Sequence, residues 1–348
     1  MPSKSKPRFP AEWEPHASTW LAWPHFKDDW PGKFEPIPWV YAEIIRNLAK
    51  HERVDLIVND VASEKRARKV LGRANALSDN IVFHRWPTDR VWTRDSGCTF
   101  VEFNSSLAAV AWRFNAWAKY SNFKNDQKIG ARMAESANAK VMAPLHGKTR
   151  IVLEGGSIDS NGSGTLLTTE ECLLSATQQR NPAMNKKEYE KIFAACLGIS
   201  KVIWLGSGIA GDDTHGHVDD ITRFVSPDTV VTAVESEPSD PNYEPLRENI
   251  RRLRAAADQD GNPLAIVELP MPGPVIFEGR RLPASYANFY IANGMVLVPV
   301  FNDPNDRVAL DILADLFPDR DVVGIYSGDL IWGFGAMHCM TQQQPAIR

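Results

Sequence analysis

The sequence predicts an α/β repeat fold that closes into a ring. Two observations carry this. A strand–helix–strand order can be read five times along the 348 residues, and a polar or glycine-bearing segment stands just ahead of each unit's first strand. Repeats of this length form radial or solenoid arrays, because a single unit cannot bury its own apolar face. The first unit lacks an opening strand upstream of Ser18, while the C-terminus has a segment left over. That last segment would complete the first unit.

Taken in order, the first unit has a strand at 18–23, a helix at 39–50 and a strand at 54–58. Val40, Ile44, Ile45 and Leu48 share one face of that helix. The second unit is 107–112, 127–138 and 140–143, and the third 165–169, 187–197 and 201–205. In the third, Ile192, Phe193, Cys196 and Leu197 carry the helical period. The fourth is 229–234, 243–257 and 264–269, and the fifth 295–301, 305–317 and 321–326. The last four helices start at 127, 187, 243 and 305, roughly 55–60 residues apart. A wider gap after the first helix is filled by an extra helix near 64–71. Asp240-Pro241 and Asp303-Pro304 set a capping side chain before a proline, whose missing N–H costs least at a helix start. Asn181-Pro182 stands more loosely ahead of the third helix.

A chain that is 43% hydrophobic can bury a sizeable core. A net charge of −4 argues against a nucleic-acid face and fits a small cationic substrate. No apolar run approaches the roughly 18 residues that span a bilayer. Residues 1–8 lack the apolar stretch of a signal peptide. A cytoplasmic location is therefore expected. Cys98, Cys172, Cys196 and Cys339 show no CxxC spacing and are expected to be free thiols.

The segments ahead of the units carry the chemistry. They are Trp92-Thr-Arg94-Asp95-Ser-Gly97, Leu153-Glu154-Gly-Gly156, the run 211–220 with His215, His217, Asp219 and Asp220, and the run 278–288 ending in Asn288. Wrapping round, Trp332-Gly-Phe334-Gly-Ala336-Met-His338-Cys339 precedes the first unit. Glycines let such a loop bring its backbone close to a ligand, so Cys339 is a candidate nucleophile. In a radial array, equivalent positions face one axis. That would gather Asp95, Glu154, His217, Asp219 and Cys339 into one central site. Each also has a plainer reading. Arg94-Asp95 can be a surface pair, Glu154 a turn carboxylate, Trp92 a core residue, and Cys339 a small buried hydrophobe. His215-x-His217-x-Asp219 can be a metal set. Cys98, Cys172 and Cys196 read as structural.

Together these segments resemble the agmatine deiminase family, within the guanidine-modifying enzyme superfamily. The resemblance covers nearly the whole chain. It begins at Phe9-Pro-Ala-Glu-Trp13-Glu-Pro-His16 and Trp20-Leu-Ala-Trp23-Pro, and it continues through the Asp95 and Glu154 segments and Thr168-Thr-Glu-Glu-Cys-Leu-Leu174. Asp213-Thr-His-Gly-His217-Val-Asp219 and His338-Cys339-Met-Thr-Gln-Gln343 follow in family order. It implies a five-bladed α/β propeller of ββαβ repeats with pseudo-fivefold symmetry and a central active site, formed by residues 1–348 as one catalytic domain. It implies hydrolysis of agmatine to N-carbamoylputrescine and ammonia, without metal or cofactor. Cys339 would attack the guanidinium carbon. Asp95 and Asp219 would hold the planar fork of N–H donors. His217 would protonate the leaving ammonia and activate water, lowering the Cys339 pKa as an imidazolium. Glu154 would fix His217 or the substrate, and Trp92 and Trp117 would pack against the substrate. A homo-oligomer is implied, with no nucleic-acid or membrane partner.

The chain departs from the family pattern at Cys98, His215, Asp220, Phe334 and Ala336, and the loop 114–120 is shortened by a glycine. These positions bear on the non-guanidine end of the substrate, so peptidyl-arginine or another guanidine is the alternative substrate. A metal-dependent hydrolase built on His215, His217 and Asp219, and a binding protein without catalysis, are the readings from other classes.

Overall fold

The computed structural model describes residues 6–182 and 184–347. The leader reading above falls partly on residues 1–5, which lie outside them. Five sheets of three or four strands follow one another along the described chain, with two small hairpins at 145–150 and 276–281. The second sheet runs Thr99–Glu102, Leu107–Val110, Lys140–Met142, and the third Asp159–Ser160, Thr165–Thr169, Lys201–Leu205. The fourth runs Thr222–Phe224, Thr229–Val234, Ala265–Pro270, and the fifth Tyr290–Ala292, Met295–Val300, Asp321–Tyr326. In each, a short strand pairs antiparallel with the middle strand, and a helix crosses over to a parallel outer strand. The first sheet takes its antiparallel strand, Gln342–Pro345, from the far end of the chain, where it pairs with His16–Ala22. The leftover C-terminal segment thus completes the first unit, as the order of elements required.

The middle strands explain how the sheets pack. Successive side chains on a strand point to opposite faces. Leu166 faces one apolar cluster with Val110 and Phe193, while Leu167 faces the next with Phe224 and Leu246. Val230 and Val231, then Val296 and Leu297, divide in the same way. Each middle strand is therefore buried on both faces, which is why these runs read as continuously apolar.

The helices match the sequence reading within a few residues. Lys186–Leu197 carries the clearest end signals. Asn185 and Glu188 form a capping box, and Gly198 ends the helix at φ +73°. This corrects the role assigned to Asn181, whose amide instead brackets the backbone of Val152 at 2.9 and 2.7 Å. Asp240 and Asp303 do not cap as read: each accepts from the N–H two residues on, Asn242 and Asn305, at 2.8 Å, in a turn, and the cap positions fall to Asn242 and Pro304 with no side-chain cap bond. The extra helix is longer than read, Val61–Arg73, and is started by Asp60 accepting from the Ser63 N–H. The sequence reading missed Ile81–Arg85, a fourth strand on the first sheet. It also missed the short antiparallel strands, which are two to four residues long and leave no periodic trace. Among the described residues, no helix is long and apolar enough to cross a membrane.

Candidate active site

A short helical turn stands just before four of the antiparallel strands: Thr93–Ser96, Gly155–Ser157, Val218–Asp220 and Tyr286–Asn288. Each packs against the next. The Cys339 segment joins both ends of this series. His338 donates its N–H to the Asn288 carbonyl at 3.1 Å, and Arg94 donates its N–H to the Cys339 carbonyl at 3.3 Å. The turns therefore bring Asp95, Glu154, His217, Asp219 and Cys339 together, although up to 244 residues separate them in sequence.

His217 is fully buried at the centre. Its Nδ1 lies 3.9 Å from Asp95 and 4.0 Å from Asp219, and its Nε2 lies 3.8 Å from Glu154. These distances permit charge attraction but are too long for hydrogen bonds. Burial alone would lower its pKa, but the Asp95 charge and the contacts with Cys172 and Glu154 prevail and raise it well above the usual value. Glu154 is buried too, yet Arg180, donating at 3.2 Å, pulls its carboxyl down to about 2. Asp95 accepts from the Gly156 N–H at 3.0 Å and from the Trp117 indole N–H at 2.9 Å. Burial raises its pKa, and Asp219 and Glu154 add to the rise. Burial pushes Asp219 the same way, but its hydrogen bond with His338 Nδ1 at 2.7 Å reverses the sign. The Gly156 position admits no side chain, because a Cβ there would lie 2.5 Å from His217 Nδ1 and 2.9 Å from Asp219.

Cys339 Sγ lies 3.7 Å from Asp219 and 3.1 Å from the Asn288 amide nitrogen. Burial raises the thiol pKa well above its usual value, and the charges of Asp219, Asp220 and Asp95 raise it further. The expectation of a lowered thiol pKa is corrected in direction: burial first, and then the three acidic neighbours, raise it. The thiol faces a narrow pocket, and Asp95, Trp92 and Trp117 line it too.

Other expectations change. Arg94 and Asp95 are both buried, and Arg94 pairs with Glu12 at 3.0 Å rather than with its neighbour. His215 turns toward Ser175 at 3.1 Å and Glu171 at 3.8 Å, so it does not join His217 and Asp219. Cys172, read as structural, is buried with its sulfur clustered within 4.8 Å of Glu154 and His217 ligand atoms. Asp220 accepts from Asn288 at 2.9 Å. Glu12, Arg180, Asn288 and the role of His338 were not foreseen. Glu12 and Asn288 lie inside segments already singled out, so position was the available signal. Arg180 carries none.

A profile of the Porphyromonas-type peptidyl-arginine deiminase family matches residues 8–345. The chain belongs to that family. It is 36% identical to the agmatine deiminase of Pseudomonas fluorescens (strain SBW25), over 97% of this chain and 95% of that protein. It is 35% identical to the agmatine deiminase of Stutzerimonas stutzeri (strain A1501), over the same shares. The mixed α/β fold matches that of the Enterococcus faecalis agmatine deiminase with a TM-score of 0.90 and 30% identity, over 98% of this chain and 96% of that one.

Proposed function

We propose that this protein is an agmatine deiminase, a hydrolase that converts the guanidinium of agmatine to N-carbamoylputrescine and ammonia. Full-length likeness to agmatine deiminases supports the reaction class. The observation that carries the reading is a thiol and a carboxylate, Cys339 and Asp95, lining one pocket, with the Asp219 carboxylate, the charged His217 imidazole and Glu154 clustered in the interior beside them. The five sheets would be the blades of a five-bladed propeller, a single domain with this site on its axis.

Asp95 lines the pocket and Asp219 lies buried beside Cys339, and both suit a planar cation with paired N–H donors. Asp219 Oδ1 has no hydrogen-bond partner among the described residues, so it can take a substrate N–H without breaking a bond. The entering cation offsets the three carboxylates that hold the Cys339 proton. The thiol then ionises, its proton leaving past Asp219, 3.7 Å away, to solvent, so that Asp219 stays a carboxylate. The thiolate attacks the guanidinium carbon and forms a C–S bond. The imidazolium of His217 gives its proton to the departing nitrogen, and ammonia leaves. Neutral His217 then takes a proton from water, which adds to the amidino-thioether carbon. Collapse expels the thiolate, which takes up the hydroxyl proton and returns as the thiol, and leaves a ureido group. Glu154, ionised, steadies the imidazolium through both steps.

Peptidyl-arginine deimination is the second reading, favoured by the description of the matching family. The test is ammonia release and ureido formation from agmatine, free arginine, an N-acylated arginine amide and an arginyl peptide. Turnover of agmatine above the others supports the proposal. Turnover of the peptide alone sinks it.

A further inference from the structure

The mouth of the pocket is built from side chains that hold one another. Asp213 is buried and accepts from Tyr120 at 2.5 Å and from Lys119, and it pairs with Arg280 at 3.4 Å. The Gln178 amide bridges the carbonyls of Trp117 and Asp213, at 3.1 Å each. The loop at 115–120, the loop at 211–215 and the hairpin at 276–281 are thereby tied together over the opening.

Phe334 lines the pocket as well, beside Trp92 and Gly333. Its backbone is left-handed, φ +67° and ψ +21°, a conformation that side chains other than glycine resist. The strain is held by fixed neighbours. The Phe334 N–H donates to the Ile331 carbonyl at 2.9 Å, and the preceding Gly333 is pressed against Trp30, 2.7 Å from where its Cβ would be. The Arg280 guanidinium covers the Phe334 ring at 4.1 Å and links it to Asp213. A strained bulky residue pinned against a pocket is a feature to be read for function.

The geometry points to Phe334, braced by Arg280, as the residue that sets substrate size: it admits a free alkyl guanidine and turns away arginine within a polypeptide. This rests on the deiminase reading above. Cys339 is 5% exposed, so a guanidinium must go fully down the pocket to meet it. A free alkyl guanidine follows with a slender methylene tail. An arginine residue brings two peptide groups to the rim, and these lose water unless they find partners. Asp213, the buried acceptor at the rim, is already engaged by Lys119, Tyr120 and Arg280, and the Phe334 ring lines the pocket.

Ammonia release by wild type, Phe334→Gly and Arg280→Ala is measured with agmatine and with an N-acylated arginine amide. The quantity read is the ratio of the two kcat/KM values. Phe334→Gly, which also relieves the backbone, is expected to move the ratio toward the acylated amide by about tenfold or more, the scale on which pocket walls discriminate. Arg280→Ala, which keeps the ring but frees it, is expected to move it the same way by less. Ratios within about twofold of wild type in both variants, with wild-type agmatine turnover intact, overturn this inference alone. A wild type inert toward both substrates overturns the deiminase reading, and this inference with it.

Discussion

Two clusters of buried charge meet at His338, and they are wired in opposite ways. Behind it, Glu12 accepts from Arg94 at 3.0 Å, Arg223 at 2.8 Å, His338 at 2.9 Å and the Ile291 N–H at 2.9 Å. Arg223 is further held by Asp159 at 3.1 Å and the Phe289 carbonyl at 2.7 Å. In front, Glu154 Oε2, both His217 nitrogens and Asp219 Oδ1 have no hydrogen-bond partner among the described residues. A buried charge without a partner is costly, so such groups persist where they serve a ligand or a reaction. The rear cluster spends its hydrogen bonds on rigidity. On the proposed deiminase reading, the front cluster keeps its own for a guanidinium. Asp219 belongs to both, with one oxygen fixed by His338 and the other free.

The sharpest way to break this contrast is to remove the front thiol. Cys339→Ala is expected to lower ammonia release from agmatine by on the order of 10⁴-fold or more, with the melting transition kept. Substantial residual turnover would mean that the front cluster is not a reaction centre. The rear cluster should show the reverse pattern. Glu12→Gln leaves two buried guanidiniums short of their counter-charge, and a loss of about 3–5 kcal/mol in urea unfolding is expected. The Arg223, His338 and Arg94 charges hold the Glu12 carboxyl well below the usual carboxylate range against the pull of burial. Its stabilisation is therefore full above the ordinary carboxyl pKa and is lost as pH falls into the acid range. The Gln variant should lose part of that acid sensitivity. A variant as stable as wild type at neutral pH would show the pairing to be ornamental.

Within the front cluster, Glu154→Gln tests one supporting charge. Glu154 is among the groups that raise His217. Without it, His217 should lose its proton at lower pH and be a poorer acid toward leaving ammonia. A fall of about 10²-fold in kcat is expected, with the alkaline limb of the rate profile moved down in pH. An unmoved limb would leave Glu154 with only the task of pairing Arg180.

The two clusters were not equally legible in the sequence. Asp95, Glu154, His217, Asp219 and Cys339 stand at equivalent positions ahead of successive units, so the repeat alone suggested their convergence. The strand–helix–strand order was legible for the same reason, through apolar periodicity over long elements. The rear cluster left no such trace. Glu12 and Arg223 meet across 211 residues of sequence, and nothing local to either marks the pair. Arg94 was read with its neighbour Asp95, whereas helical geometry turns adjacent side chains to different partners. Cys172 looked structural because it sits in an apolar context, and only folding brings its sulfur to His217. The short antiparallel strands, such as Asp159–Ser160, are too brief for any period to register.

The smallest effect probes how the front charges govern the thiol. Burial and the carboxylates of Asp219, Asp220 and Asp95 raise the Cys339 pKa, so at neutral pH the free protein holds a protonated thiol. Alkylation by neutral iodoacetamide should be slow there and climb about tenfold per pH unit, since only the thiolate reacts. A cationic haloacetamidine carries its own positive charge to the same carboxylates. Its apparent thiol pKa should be lower, because the cation cancels the field that holds the proton. Asp219→Asn should lower the iodoacetamide curve as well and narrow the gap between the reagents, because one contributor to that field is gone. If both reagents trace one curve in wild type, the carboxylates do not control the thiol. Ionisation would then be a property of the pocket alone, and the unpaired front cluster would need another explanation.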